Sequence, residues 1–333
     1  MRVKLEHIAA KTGYSIATVS RVLTGKAVGR SSSVKVILRA AEELGYPYIE
    51  KIKYPDSQHL TIGFVTELFE GEFYSSLFKG FYQASLKTDS EVFFIDVAKR
   101  KESIIEYITN LTRHYSGICL FLPEFEKDDY QKILNAIGNY PVISLAPIIN
   151  SVIDTVTFDA YLGGHLVAKH FEELGYTDVG IITGPSNKVE ALYRKNGFLD
   201  YATTSKNLNC VWEYNGDYSV ESGYQAYNDL KDRHQSKIAI FGSNDQTCFG
   251  FIKKAILDGR KIPDEIAIVG YDDLPFCKLF LPELTSVNTN FYELGKVSIR
   301  LLEKKFQGQN DSHGHINLVP VSLSVRTSSQ RKR

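Results

Sequence analysis

From residue 60 onward the chain alternates short runs of β-branched and aromatic residues with longer amphipathic stretches. Runs such as LTIGFVT (60–66) and KIAIFG (237–242) are apolar at almost every position. Strands of this kind are buried on both faces, as in parallel sheets that helices cover on either side. The strands are too many for one compact sheet, so we predict an α/β protein with two doubly wound, parallel-sheet lobes. Ligands would then bind between the lobes, at the carboxyl ends of the strands.

The individual elements follow from the same alternation. We predict strands at residues 60–66, 91–97, 117–122, 141–146, 155–159, 178–184, 210–214, 237–242 and 266–271. We predict helices at residues 74–87, 102–114, 160–174, 187–204, 219–234, 245–258 and 291–307.

The first 45 residues show a helical pattern only. Apolar residues recur at helical spacing on three predicted helices: Leu5, Ile8 and Ala9; Val19, Val22 and Leu23; and Val34, Ile37, Leu38 and Ala41. Gly13 suits the turn between the first two helices because glycine tolerates a positive φ, and Ser15 suits the N-cap of the second. Three short helices that share one small core predict an N-terminal helix-turn-helix head.

Charge separates this head from the remainder of the chain. Residues 1–53 hold ten Lys and Arg against four Asp and Glu, whereas the remainder holds 29 against 35. A basic head on an acidic body indicates that a phosphate-bearing partner binds at the head end of the protein. The prolines and mixed charge between the head and residue 60 are typical of a linker. The predicted domains are a head (1–45), a linker (46–59) and a core (60–333), with lobe one at about 60–157 and 290–319 and lobe two at about 158–289 and 320–330.

The outer face of the second head helix carries small, uncharged side chains and ends in an arginine. A helix-turn-helix places this face in the DNA major groove, where small apolar side chains reach thymine methyl groups and Arg reaches guanine. Ser and Thr hydroxyls suit phosphate oxygens. The alternative is a small three-helix domain whose second helix is merely polar. The residues predicted to contact DNA here are Ser15, Ile16, Ala17, Thr18, Ser20 and Arg21.

The sequence carries no signature of an enzyme. It lacks the glycine-rich nucleotide motifs and the Gly-x-Ser-x-Gly nucleophile motif. Its four cysteines form no Cys-x-x-Cys pair, and its eight histidines show no metal-ligand spacing. We therefore predict no enzymatic activity, no cofactor and no metal. The N-terminus lacks the apolar core of a signal peptide, and no run reaches the roughly 18 apolar residues of a membrane span, so we expect a cytoplasmic protein.

Four stretches resemble the lactose/galactose repressor (LacI/GalR) family. Residues 5–25, LEHIAAKTGYSIATVSRVLTG, are similar to the family's DNA-binding head, where AGVSxxTVSRVLN is the usual form. Residues 163–185 resemble the opening of the second lobe in the family's core. Residues 243–287 resemble its most recognisable stretch, and residues 318–329 resemble its ending. The resemblance covers essentially the whole chain. It implies a repressor head joined to a sugar-binding core of the periplasmic-binding-protein type, acting as a dimer.

The resemblance also implies polar effector contacts. Arg194, Asn244 and Asp272 match the positions of the family's effector-binding residues, and the latter two follow predicted strands whose ends face the cleft. An arginine there can donate several hydrogen bonds to sugar hydroxyls or to a carboxylate. The alternatives are a surface ion pair between Arg194 and Glu190, and helix capping by Asn244 and Asp272.

Aromatic residues complete the implied pocket. They match family positions that face the sugar or form a pocket wall, with ordinary core packing as the alternative: Phe73, Tyr74, Phe158 and Tyr218. Two strand ends depart from the family, because Phe121 and Ala146 stand where some members have Asn and Asp. We therefore expect a pocket that is more apolar on that side.

The linker also departs from the family. Many members have a hinge helix there that inserts a Leu into the minor groove and kinks the DNA. In this chain Tyr54 falls at the position of that Leu, and Pro55 prevents a helix from continuing. Lys51 and Lys53 can still meet phosphates, so we predict DNA contacts from Lys51, Lys53 and Tyr54 but an irregular hinge.

Together these features predict a sequence-specific transcription regulator, a repressor of carbohydrate-utilisation genes. A homodimer would place two heads on a pseudo-palindromic double-stranded DNA operator. A sugar or sugar derivative, with a galactoside as one example, would change lobe closure and operator affinity. The alternative is a solute- or sugar-binding protein without a DNA role, and the basic helical head favours the regulator.

Arg21→Ala tests the prediction that the second helix reads bases. Loss of a bidentate base contact should cost about 1–3 kcal/mol of binding to the specific site. Binding to random DNA should fall much less. Fluorescence anisotropy titrations on both DNAs measure the two losses, and an equal loss on each would show that Arg21 contacts only phosphates.

Overall fold

The computed structural model describes residues 3–23, 32–44, 46, 59–68, 71–98, 103–234, 236–309 and 314–330. The chain divides into two compact units, residues 1–59 and residues 60–333.

The smaller unit contains three helices, α1 (Leu5–Thr12), α2 (Ile16–Leu23) and α3 (Ser32–Glu43). Their apolar faces meet in one core, in which Ile8, Val19 and Ile37 have no exposed surface. Gly13 ends α1 with φ 72°, and its N–H donates to the carbonyl of Ala9 at 2.9 Å. The Ser15 hydroxyl accepts a hydrogen bond from the Thr18 N–H at 3.1 Å and so caps α2. The helix-turn-helix prediction and both turn residues are confirmed.

The larger unit alternates strands with helices. Its strands are β1 (Leu60–Thr66), β2 (Ser90–Asp96), β3 (Gly117–Phe121), β4 (Val142–Ser144), β5 (Thr155–Phe158), β6 (Asp178–Thr183), β7 (Asn209–Asn215), β8 (Ile238–Gly242), β9 (Ile266–Asp272), β10 (Thr285–Asn288), β11 (Ile316–Val319) and β12 (Ser322–Ser324). Its helices are α4 (Glu72–Ser85), α5 (Ile104–Leu111), α6 (Lys127–Ile137), α7 (Ala160–Glu173), α8 (Val189–Thr204), α9 (Val220–Arg233), α10 (Asp245–Leu257) and α11 (Phe291–Phe306).

The strands form two six-stranded sheets, one in each lobe. The order in lobe one is β11-β5-β4-β3-β1-β2, and each pair is parallel. The order in lobe two is β12-β10-β9-β8-β6-β7, and β12 runs antiparallel to β10 at the edge of an otherwise parallel sheet. The prediction of two doubly wound parallel-sheet lobes is confirmed.

Helices cover both faces of each sheet, which explains why the strands are apolar throughout. In lobe one, α4 and α11 pack on one face, and α5 and α6 pack on the other. In lobe two, α7 and α8 cover one face, and α9 and α10 the other. The chain passes between the lobes three times, after β5, after β10 and after β11.

The sequence prediction missed helix α6, the strands β10, β11 and β12, and a short 3-10 helix at Pro275–Lys278. The three strands have three or four residues each, which is too short for a clear alternation. Helix α6 begins with the charged run KDDYQK and buries only Tyr130 and Ile133 in its core-facing stripe. The predicted strand 141–146 is shortened to Val142–Ser144 because the chain turns immediately after it.

Helices α7 and α8 touch backbone to backbone. A Cβ atom on Gly164 would lie 2.0 Å from the carbonyl oxygen of Arg194, and one on Gly197 would lie 2.0 Å from the carbonyl oxygen of Tyr161. Glycine at both crossing points is therefore required by the close approach. Since Gly164 rests on the carbonyl of Arg194, this contact also fixes where α8 presents the Arg194 side chain.

Gly164→Ala should destabilise the core because the added methyl group forces the two helices apart. Overpacking of this kind costs about 1–3 kcal/mol of unfolding free energy. The control is Lys169→Ala on the same helix, whose side chain is 52% exposed. Urea denaturation of both variants measures the difference, and a Gly164→Ala variant as stable as the control would contradict the crossing geometry.

Candidate functional site

A cavity of about 500 Å³ lies between the two lobes, beside the carboxyl ends of strands from both sheets. Its lining includes all seven side chains that the sequence predicted for an effector: Phe73, Tyr74, Phe158, Arg194, Tyr218, Asn244 and Asp272. The fold therefore brings these residues to one cleft from separate elements. Their roles in binding stay a prediction.

The Arg194 guanidinium is buried at the lobe-two side of the cavity. Its Nη1 donates to the carbonyl of Ser243 at 2.5 Å, and its Nη2 lies 3.8 Å from a carboxylate oxygen of Asp272. The ring of Tyr271 lies beneath the guanidinium carbon, with its centroid 3.7 Å away, in cation–π contact. Arg194 is thus a buried cation that faces Asp272, and the alternative of a surface pair with Glu190 is wrong.

Two residues of the cleft have unusual backbone geometry. Tyr218 has φ 71° and Asp272 has φ 113°, in a region that non-glycine residues rarely occupy. The Tyr218 ring lies so close to Gly184 that a Cβ there would be 2.3 Å from it. Backbone strain of this kind is retained where the surrounding structure holds it, and it concentrates at binding sites.

Asn244 holds Tyr218 in place. Its side-chain amide donates to the carbonyl of Tyr218 at 2.9 Å, and its oxygen accepts from the N–H of Thr247 at 3.0 Å. The capping alternative is therefore correct for Asn244, which also lines the cavity. Its neighbour Asp245 is fully buried and accepts hydrogen bonds from Ser286 and from the N–H of Leu274, as a structural residue.

Several buried polar atoms of the cleft lack partners within the described part of the chain. They are the Arg194 Nε and the hydroxyls of Tyr218 and Tyr271. Buried polar groups are almost always hydrogen-bonded, so unpaired ones beside a cavity indicate a ligand that supplies the partners. Burial raises the pKa of Asp272 to about 8, against the opposing charge of Arg194. A ligand hydroxyl that donates to this carboxyl would favour its ionised form.

The lobe-one side of the cavity is an aromatic wall, which we define as Phe73, Tyr74, Phe121 and Phe158. The Phe121 ring centroid lies 5.9 Å from that of Phe73 and 6.0 Å from that of Tyr74. Ala146 also lines this side, together with Leu77. The placement of Phe121 and Ala146 agrees with the expectation of a more apolar pocket here.

Direct contacts join the two lobes at the cleft. The Lys188 ammonium of lobe two donates to the carbonyl of Pro123 at 3.1 Å and pairs with the carboxylate of Glu124 in lobe one. The Glu72 carboxylate of lobe one accepts from the N–H of Phe276 in lobe two at 3.1 Å. These contacts hold the lobes together over the cavity.

Sequence reasoning missed Tyr271 and Lys188. Tyr271 directly precedes Asp272, so the alternation of side chains along a strand predicts that the two lie on opposite faces. The local turn at Asp272 instead brings both side chains beside Arg194. Lys188 follows a strand end in the segment GPSNK, but its partners lie in the other lobe and leave no local signal.

The predicted DNA contacts of the head lie on and beside α2. Ser15, Ile16, Ala17 and Arg21 are exposed, and Thr18 and Ser20 are half-buried. The Arg21 Nε donates to the carbonyl of Ala17 at 3.4 Å. The linker contacts Lys51, Lys53 and Tyr54 fall outside the described residues. The DNA-binding roles stay predictions.

No helix of the described segments is long and apolar enough to cross a membrane.

Comparison with known proteins gives consistent results. The model of the periplasmic binding protein-like domain family matches residues 168–329. The chain is 24% identical over 333 residues to the HTH-type transcriptional repressor PurR of Haemophilus influenzae, covering 97% of this chain and 98% of the relative. It is 26% identical over 330 residues to the ribose operon repressor of Halalkalibacterium halodurans, covering 98% and 97%. A solved structure of the Lac repressor dimer bound to operator and the anti-inducer ONPF is 25% identical, with a TM-score of 0.70 and 99% of each chain covered.

The fold and the cleft define a two-lobed ligand-binding core preceded by a helix-turn-helix head. This combination is the one that the resemblance to the lactose/galactose repressor family implies, and the chain is similar over nearly its full length to several repressors. These relatives are named as repressors rather than enzymes, in agreement with the prediction of a transcription regulator.

Proposed function

We propose that this protein is a cytoplasmic transcriptional repressor whose operator affinity is controlled by a sugar-like effector in the cleft between its lobes. The head would bind a pseudo-palindromic operator, and the core would bind the effector. The genes it controls would serve carbohydrate use.

One observation carries the effector part of this proposal. The buried Arg194 Nε and the buried Tyr218 and Tyr271 hydroxyls belong to residues that line the cleft, have no hydrogen-bond partners in the described chain, and lie near the carboxyl group of Asp272. This set combines donors and acceptors within one small volume. Sugar hydroxyls, which both donate and accept, match such a set.

The outer face of α2 supports the DNA part. Ile16 is 49% exposed, and Ala17 beside it is also exposed. Such small apolar side chains can approach thymine methyl groups closely, and Arg21 lies one turn further along the same helix. The basic head supplies the charge that phosphates require.

Exposed apolar surface supports a homodimer. On lobe two, Leu257, Leu279 and Leu281 are 71%, 72% and 84% exposed. On lobe one, Phe93 and Phe94 are exposed on β2, the edge strand of the sheet. Exposed edge strands and apolar patches are usually covered in the functional assembly. We assign both surfaces to contacts with a second copy of this chain.

Arg194→Ala tests the control of DNA binding by the cleft. Hydrogen bonds to a charged group contribute about 1.5–3 kcal/mol, so the variant should bind its saccharide about ten- to a hundredfold more weakly. Operator binding without saccharide should stay near normal because the head is unchanged. The probe is the compound that gives the largest thermal shift with the parent protein in a panel of mono- and disaccharides.

Two titrations of the purified variant measure its operator affinity, one without saccharide and one with saturating saccharide. The matched control is Lys195→Ala, which removes a neighbouring cation that pairs with Glu213 outside the cleft. A variant whose operator affinity still changes with saccharide as in the parent protein would show that Arg194 does not bind the effector and that the proposed site is wrong.

A further inference from the structure

We propose that Arg326, in the C-terminal segment after β12, is a positioning residue for effector binding although it lies outside the cleft. It holds the side chain of Asp273, and the backbone of Asp273 in turn fixes the Asp272 carboxyl that faces Arg194. This inference rests on the proposed function and concerns what keeps the same site in its binding geometry.

The chain makes a strained turn where β9 ends. Asp272 and Asp273 have φ values of 113° and 56°, so two consecutive non-glycine residues lie at positive φ. Residues keep such a conformation only where the structure around them holds it. The Asp272 carboxyl lines the cavity, and its 3.8 Å contact with Arg194 is too long for a hydrogen bond. The position of this carboxyl therefore depends on the turn.

The turn is held through Asp273. One oxygen of the Asp273 carboxylate accepts a hydrogen bond from the Arg326 Nη2 at 2.5 Å. The other oxygen accepts from the Asn288 amide at 2.8 Å and from the Ser324 hydroxyl at 2.7 Å. The N–H of Asp273 donates to the Ser286 hydroxyl at 3.0 Å. Movement of the turn would strain or break several of these hydrogen bonds at once.

Arg326 supplies the charged contact in this set. Its side chain and that of Asp273 are 9% and 8% exposed, so the ion pair is buried. The guanidinium also donates from Nη1 to the carbonyl of Leu284 at 2.6 Å, which fixes its orientation. A planar guanidinium reaches both acceptors together, and a lysine ammonium cannot reproduce this geometry. Loss of one partner of a buried pair leaves an uncompensated charge, so the turn would shift.

The ion pair is separate from the cavity. The lining of the cavity includes Asp272 and Leu274, on either side of Asp273, but neither Asp273 nor Arg326. An effect of Arg326 on saccharide affinity must therefore act through the turn rather than through contact with the saccharide.

The same C-terminal segment contains a matched control. Ser328 is fully buried, and its hydroxyl donates to the carbonyl of Ile268 at 2.6 Å and accepts from the N–H of Thr285 at 2.8 Å. Ser328 thus joins the segment to lobe two without a contact to Asp273. Ser328→Ala should lower the stability of the protein and leave the turn in place.

Calorimetric titration of the full chain tests the inference. The probe is the saccharide that gives the largest thermal shift with the parent protein in the panel of mono- and disaccharides. Arg326→Lys should bind it at least about fivefold more weakly than the parent. Ser324→Ala, which removes one hydrogen bond to Asp273 and keeps the ion pair, should bind it about two- to tenfold more weakly. Ser328→Ala should bind it as tightly as the parent.

Urea denaturation of the same variants separates positioning from folding. Arg326→Lys and Ser328→Ala should both lose stability, and of these two only Arg326→Lys should lose saccharide affinity. If Arg326→Lys does not fold, Ser324→Ala compared with Ser328→Ala decides by the same criterion. Parental affinity in the variants that alter the contacts of Asp273 overturns the inference. An equal loss of affinity in Ser328→Ala also overturns it, because Arg326 would then be merely structural.

The outcomes also distinguish this inference from the proposed function. If the saccharide changes operator affinity and the Arg326 and Ser324 variants bind it as the parent does, the positioning role is wrong and the proposed function stands. If no saccharide of the panel binds the parent protein, the sugar effector fails, and the inference fails with it.

Discussion

The crossing of α7 and α8 at Gly164 and Gly197 is the constraint on which the ligand site depends. The helices touch through their backbones, and one contact falls on the carbonyl of Arg194 itself. The guanidinium is thereby placed above the Tyr271 ring, within reach of the Ser243 carbonyl. A buried cation is costly unless it is paired, and Asp272 compensates only part of its charge at 3.8 Å. The result is a fixed, incompletely paired cation at the wall of a cleft.

The polar and the aromatic groups of the cleft belong to different lobes. The chain crosses between these lobes three times. Unpaired polar groups lie in lobe two and the aromatic wall lies in lobe one. A ligand that contacts both sides binds the closed arrangement more tightly than an open one, so it shifts the population toward closure. The contact of Lys188 with Glu124 adds to the same arrangement. Differential affinity of this kind is what a ligand-controlled regulator requires.

Most of the fold could be predicted from the sequence because buried parallel strands are continuous apolar runs, as in KIAIFG at 237–242. The sequence also predicted that Arg194 and Asp272 line the cleft, since both stand in recognisable motifs. It could not give Tyr271 and Lys188, whose roles arise from a local turn and from a partner in the other lobe. The short strands and the charged helix α6 were missed because their local pattern is weak.

The central claim is that the cleft and the operator are coupled through one protein. Thermodynamic linkage requires that the ligand change operator affinity by the same factor by which operator changes ligand affinity. The most direct measurement is therefore a closed cycle of four dissociation constants, with the saccharide that gives the largest thermal shift and an operator duplex at fixed salt. We predict one common factor that differs clearly from unity, typically about 5–150-fold. A saccharide affinity that is the same with and without saturating operator would contradict the account.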